Sequence, residues 1–128
     1  MSDDEFIRAF ERCEISNADF HHRDHVRMAW LYLRRYGAEA EERIAADIQK
    51  FAGHHSKLDK YHQTMTIAWM RLVAPAADLG SFEDVAATFP RLLDKNYLRE
   101  FYSEELLSTD TARKNFAAPD KRPFSVVK

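Results

Sequence analysis

Three glycines and four prolines in 128 residues leave the chain short of the residues that break helices and build tight turns. That scarcity, with frequent alanine, leucine, glutamate and arginine, favours helix over sheet and argues against disorder. Cys13 is the one cysteine, which excludes an internal disulfide. No apolar run approaches 18 residues, and the first turn is acidic (Ser2, Asp3, Asp4, Glu5). Neither a membrane span nor a signal peptide is therefore expected, and the cytoplasm is the expected compartment. Charge of one sign is missing as well: 19 lysines and arginines face 21 aspartates and glutamates, for a net charge of -2. The arginines alternate with acids instead of forming a basic stripe, so no nucleic-acid partner is expected.

What is present is helical periodicity. Ser2 and Glu5 have capping-box spacing, and Phe6, Phe10 and Cys13 follow at helical intervals, predicting a first helix that ends near Ser16 and Asn17. A second is predicted over residues 20–36, with Asp19 as its N-cap and Gly37 closing it, because glycine accepts positive φ. Ile44, Ile48 and Phe51 mark an outer amphipathic helix over 39–52, with Gly53 past its end. Leu58, His62, Met65, Thr66, Trp69 and Val73 share one face of a fourth, ending before Pro75. Ser81 caps a short helix broken at Pro90. Leu92, Leu93, Tyr97, Leu98, Phe101 and Tyr102 make one further helical pattern, and Leu106, Leu107, Ala112 and Phe116 predict one or two short turns. Residues 117–128 contain two prolines and no periodicity, which reads as an extended or flexible tail, and the longest strand-like run is 124–127. The expectation is all-α: a single domain over 1–128, a helical bundle of about five to seven helices with short C-terminal helices and an irregular tail.

The chemistry-bearing residues are histidines at the starts of two of these helices. With His22 as origin, Val26, Ala29, Leu33 and Tyr36 fall within about 40°, His25 about 60° away, His21 about 100° away and Asp24 about 160° away. His22 and His25 are thus the inward pair, and His62 sits on the buried side of the fourth helix. Three imidazoles from two helices can meet in a bundle core and leave an open coordination position, the arrangement that suits zinc, nickel or iron. His22, His25 and His62 are accordingly the candidate ligands of one divalent metal ion, with His62 the candidate base. The plainer alternative is that His22 and His62 are core histidines satisfied by Tyr61, Thr66 or backbone carbonyls, with His25 half exposed.

Other candidates are weaker in spacing. Glu11 or Glu14 is the geometric option for a carboxylate that orients a histidine. Arg113 has the planar fork for an anionic ligand, against a surface ion pair with Glu104, Glu105 or Asp110. Trp30, Trp69, Tyr32 and Tyr61 could line a pocket for a flat ligand, although aromatics at helical spacing are usually core. His54 and His55 fall in a turn and should be solvated, and Cys13 lacks a local base for a nucleophile's role.

Phe20-x-His22-x-x-His25 leading into Ala29-Trp30, then Tyr61-His62-x-Thr64, Tyr102-Ser103, Ala112-Arg113 and Pro119-Asp120, resembles a family of small uncharacterised bacterial all-helical proteins across most of the chain. The resemblance implies that His22, His25, His62, Thr64, Ser103 and Arg113 belong to one recurring pattern, which makes Tyr61, Thr64, Ser103 and Arg113 candidate ligand-binding residues. It implies no particular reaction. A glutamate often follows the Tyr-His pair in that pattern, whereas this chain has Gln63.

The functional expectation is a buried histidine pocket that binds a divalent metal or a small polar ligand. If it is catalytic, a metal-activated water or a histidine base does the work. The competing expectation is a non-catalytic helical module with structural histidines and an exposed aromatic face around Tyr97, Phe101 and Tyr102, used for a partner or a homodimer.

Overall fold

A computed structural model describes residues 1–124. Seven α-helices, and no strand, occur among the described residues: α1 Asp3–Glu11, α2 His22–Tyr36, α3 Ala40–His54, α4 Gln63–Val73, α5 Phe82–Thr88, α6 Glu104–Leu107 and α7 Asp110–Lys114. The all-α expectation holds. Residues 125–127 of the strand-like run and the last part of the tail lie outside the described residues.

Local chemistry explains most of the helix ends. Ser2 and Glu5 form the capping box at α1, with Ser2 N–H donating to Glu5 Oε1 at 2.8 Å and Glu5 N–H to Ser2 Oγ at 3.1 Å. Ser81 Oγ accepts from Asp84 N–H at the start of α5. Gly37 ends α2 at φ 53°, ψ -120°, a region closed to residues with a Cβ.

Other ends differ from expectation. The first helix stops at Glu11, short of Ser16, because Cys13 turns the chain at φ 58°. Asp19 is not the cap of α2. It closes a 3₁₀ turn, Asn17–Asp19, whose cap is Ser16, and the helix starts three residues later, with the Asp24 carboxylate accepting from His21 N–H at 2.9 Å. Gly53 lies inside α3 and not past its end, and Ser56 takes a positive φ of 59° just beyond the helix. Leu58 belongs to a separate 3₁₀ turn, Leu58–Lys60, so the fourth helix begins only at Gln63.

Helix α2 is the centre of the molecule. Met28, Ala29, Trp30, Leu31 and Tyr32 are five consecutive buried residues, so this helix is covered right round where a single buried stripe was expected. It packs against α1, α3, α4 and the turn Pro90–Leu93. Phe10, Phe20 and Phe51 form an aromatic cluster at its N-terminal end, with Phe10 and Phe20 stacked at 5.3 Å and Phe20 and Phe51 at 5.1 Å. Each such ring contributes about 2–3 kcal/mol by leaving water.

The last third is a chain of 3₁₀ turns and short helices, including Pro90–Leu93 and Lys95–Glu100 where one longer helix was expected. Short turns leave carbonyls without helical partners, and buried carbonyls must find donors. Side chains provide them. Thr64 Oγ1, fully buried, lies 2.6 Å from Ala112 O and 2.9 Å from Asn115 O, which share its one proton, and it accepts from Ala117 N–H at 3.0 Å. Tyr102 Oη donates to Ala117 O at 2.6 Å, Ser103 bonds both oxygens of Asp120, and Lys121 N–H donates to Phe101 O. The segment from Ala117 to Phe124 is thereby laid across the helices. Phe101 and Tyr102 are 3% and 0% exposed, so the aromatic face expected there is core instead, and Phe124 packs on both rings.

Candidate ligand cavity

The N-terminal turns of α2 and α4, the second half of α3 and the loop between α3 and α4 enclose a cavity of about 500 Å³. Its wall is mainly apolar: Phe20, Ile44, Ile48, Phe51, Met65, Trp69 and Met70 surround it, and Ala29 and Ala52 stand where larger side chains would fill it. A volume and lining of this kind are those of a small-molecule site.

His22, His25 and His62 all line this one cavity, but they differ in what their nitrogens are doing. His22 Nε2 lies 2.9 Å from Leu92 O, and a carbonyl only accepts, so the proton is on Nε2. Burial pushes the pKa of His22 down, against the pull of that hydrogen bond. His22 also meets Trp69 edge to face, with ring centroids 4.5 Å apart.

His62 is the N-cap of α4. Its Nδ1 accepts from Met65 N–H at 3.2 Å, and its Nε2 donates to Leu107 O at 2.8 Å, at the end of α6. Both ring nitrogens are therefore engaged, and the lone pair a general base or metal ligand needs is already taken. The plainer reading of His22 and His62, core histidines satisfied by backbone carbonyls, describes these contacts.

His25 is different. It makes no side-chain hydrogen bond to the described residues, its ring packs on Phe20 at 4.3 Å, and it is exposed and lines the cavity. Desolvation, with the neighbouring His22 second, pushes its pKa down to about 4. At neutral pH His25 is an uncharged imidazole offering one N–H and one lone pair to whatever enters.

Of the four candidate ligand-binding residues Tyr61, Thr64, Ser103 and Arg113, Tyr61 alone lines the cavity; its hydroxyl donates to Gln63 Oε1 at 2.5 Å, and burial raises its pKa. Thr64, Ser103 and Arg113 lie elsewhere. Thr64 and Ser103 hold the C-terminal segment as described above, and the Arg113 guanidinium donates to Asp59 O, fastening the α3–α4 loop to α7 in place of the expected ion pair. Glu11 accepts from Tyr36 Oη and reaches no histidine, and His55 Nε2 lies 3.1 Å from Ile15 O. Trp30 and Tyr32 are core residues away from the cavity, whereas Trp69 is in its wall.

Sequence reasoning missed Lys57 and Lys60, which line the cavity from the loop, and Asn17, which lines it from the turn before α2. No periodicity carries a signal for residues in turns. Among the described residues no three histidine, cysteine, aspartate or glutamate side chains are grouped so as to hold a metal ion. No protein-family model, curated protein or solved structure matches this chain.

Proposed function

We propose that this protein binds a small organic molecule in the cavity between α2, α3 and α4, with His25 as the polar anchor. The observation that carries the reading is the contrast between His25 and its two neighbours: a neutral imidazole with no hydrogen-bond partner among the described residues, in the wall of a cavity of about 500 Å³ that is otherwise mostly apolar. An imidazole with no hydrogen-bond partner among the described residues, beside a mainly apolar cavity, suits a ligand that combines a hydrophobic body with one polar group.

The reading is supported over a zinc, nickel or iron site by the engagement of His62. Ligation through His62 would require it to release either the α4 cap or the carbonyl of Leu107. Elemental analysis of untagged protein separates the two: no stoichiometric metal is expected, whereas metal lost in the variant His22→Ala/His25→Ala/His62→Ala would favour the metal centre.

Titration with the neutral dye N-phenyl-1-naphthylamine tests binding directly. Saturable one-site binding is expected for the parent. It should be abolished in Ile48→Trp, which fills the cavity from a half-buried position on α3 and is checked for a cooperative melt. No saturable binding, or equal binding by a folded Ile48→Trp, would overturn the proposal.

A further inference from the structure

The charges around the cavity are one-sided. The chain carries more acids than bases, 21 against 19, yet no aspartate or glutamate lines the cavity, while Lys57 and Lys60 do. Neither lysine is in an ion pair among the described residues. Asp59, on the same turn, is exposed and does not line the cavity.

The backbone of the turn that carries the lysines is also held in place. Lys60 N–H donates to Lys57 O at 2.9 Å within the turn, Lys57 N–H to Ala52 O at 2.7 Å, and Arg113 clamps Asp59 O from α7. The fields of the helices add to them. α2 and α4 both turn their N-terminal ends, the positive ends of their dipoles, toward the cavity. The opposing negative end is that of α3, and its last carbonyls are taken by the backbone N–H groups of His55, Ser56 and Lys57.

We infer that the ligand is an amphipathic monoanion, its charged group held at the mouth by Lys57 and Lys60 and its apolar body laid against Phe20, Ile48, Phe51 and Trp69. This rests on the cavity being a small-molecule site. The lysines supply charge, and the imidazole of His25 supplies a neutral donor that neither repels nor neutralises the anion.

The test is competition against the bound neutral dye by three probes that share a ten-carbon chain: decanoate, 1-decanol and decyltrimethylammonium, each below its micellar concentration, at low and high salt. Decanoate is expected to compete about tenfold more tightly than decanol, and the cation least, with the gap narrowing in salt. In Lys57→Gln/Lys60→Gln, two exposed positions, the ratio of decanoate to decanol competition should fall from about ten to about one. Equal competition by decanoate and decanol in the parent, or an advantage that survives the double substitution, would overturn the inference and leave the cavity as a site for neutral ligands. Failure of the dye itself to bind would instead remove the underlying reading.

Discussion

His25 shows how one side chain separates from a pattern that sequence spacing makes uniform. Its folded pKa of about 4 lies below the ordinary histidine value of 6.5, so between those values the unfolded chain takes up a proton that the folded chain refuses. Stability is therefore full above about pH 6.5 and declines as pH falls toward 4; His22, lowered in the same direction, adds to the slope. The thermal midpoint should drop between pH 7 and pH 4.5, and His25→Gln should flatten that dependence. An unchanged slope in the variant would assign the acid sensitivity to other groups. Thr64 belongs to the same scale. Thr64→Val keeps the shape but removes the hydroxyl from three backbone partners, Ala112 O, Asn115 O and Ala117 N–H, for a cost of about 2 kcal/mol, whereas Thr64→Ser should lose only about 1 kcal/mol through the missing methyl. Denaturant melts of the two variants distinguish hydrogen bonding from packing at that position.

Among the elements, those whose ends are fixed by neighbours in sequence were the legible ones. Ser2 with Glu5, Ser81 and Gly37 work within three or four residues, and each did what its spacing implied. The partners of His22, His62, Thr64 and Arg113 lie 45 to 70 residues away, and nothing in the local pattern names them. His62 illustrates the loss. Periodicity puts it on a buried helix face, but the start of α4 at Gln63 instead of near Leu58 makes it a cap, and a capping histidine spends the lone pair that a ligand or base would use. Two glycines test the helix ends. Gly53 lies in the last turn of α3 with no atom within 4 Å of where a Cβ would stand, so Gly53→Ala should stabilise the protein by about 0.5–1 kcal/mol. Gly37→Ala meets no neighbour either, but the backbone there suits only glycine, and a loss of about 1–3 kcal/mol is expected. Opposite signs for the two substitutions in chemical denaturation would support these helix ends, and equal signs would contradict them.

At the scale of the whole molecule the division of labour is between three long helices and an irregular third. α2, α3 and α4 make the cavity; the C-terminal turns and short helices close round α2 and α4 through carbonyls that accept from His22, His62 and Thr64. The helical class and the grouping of His22, His25 and His62 could be read from composition and period. The rest of the cavity lining could not, because its two alanines stand on different helices and its two lysines in a turn. Methyl NMR of the dye-saturated protein tests the central claim most directly. Shifts confined to Ala29, Ile44, Ile48, Ala52, Met65 and Met70, with Val85 and Leu98 unmoved, are expected. Shifts scattered over the surface, or centred away from these residues, would contradict a ligand site between the three helices.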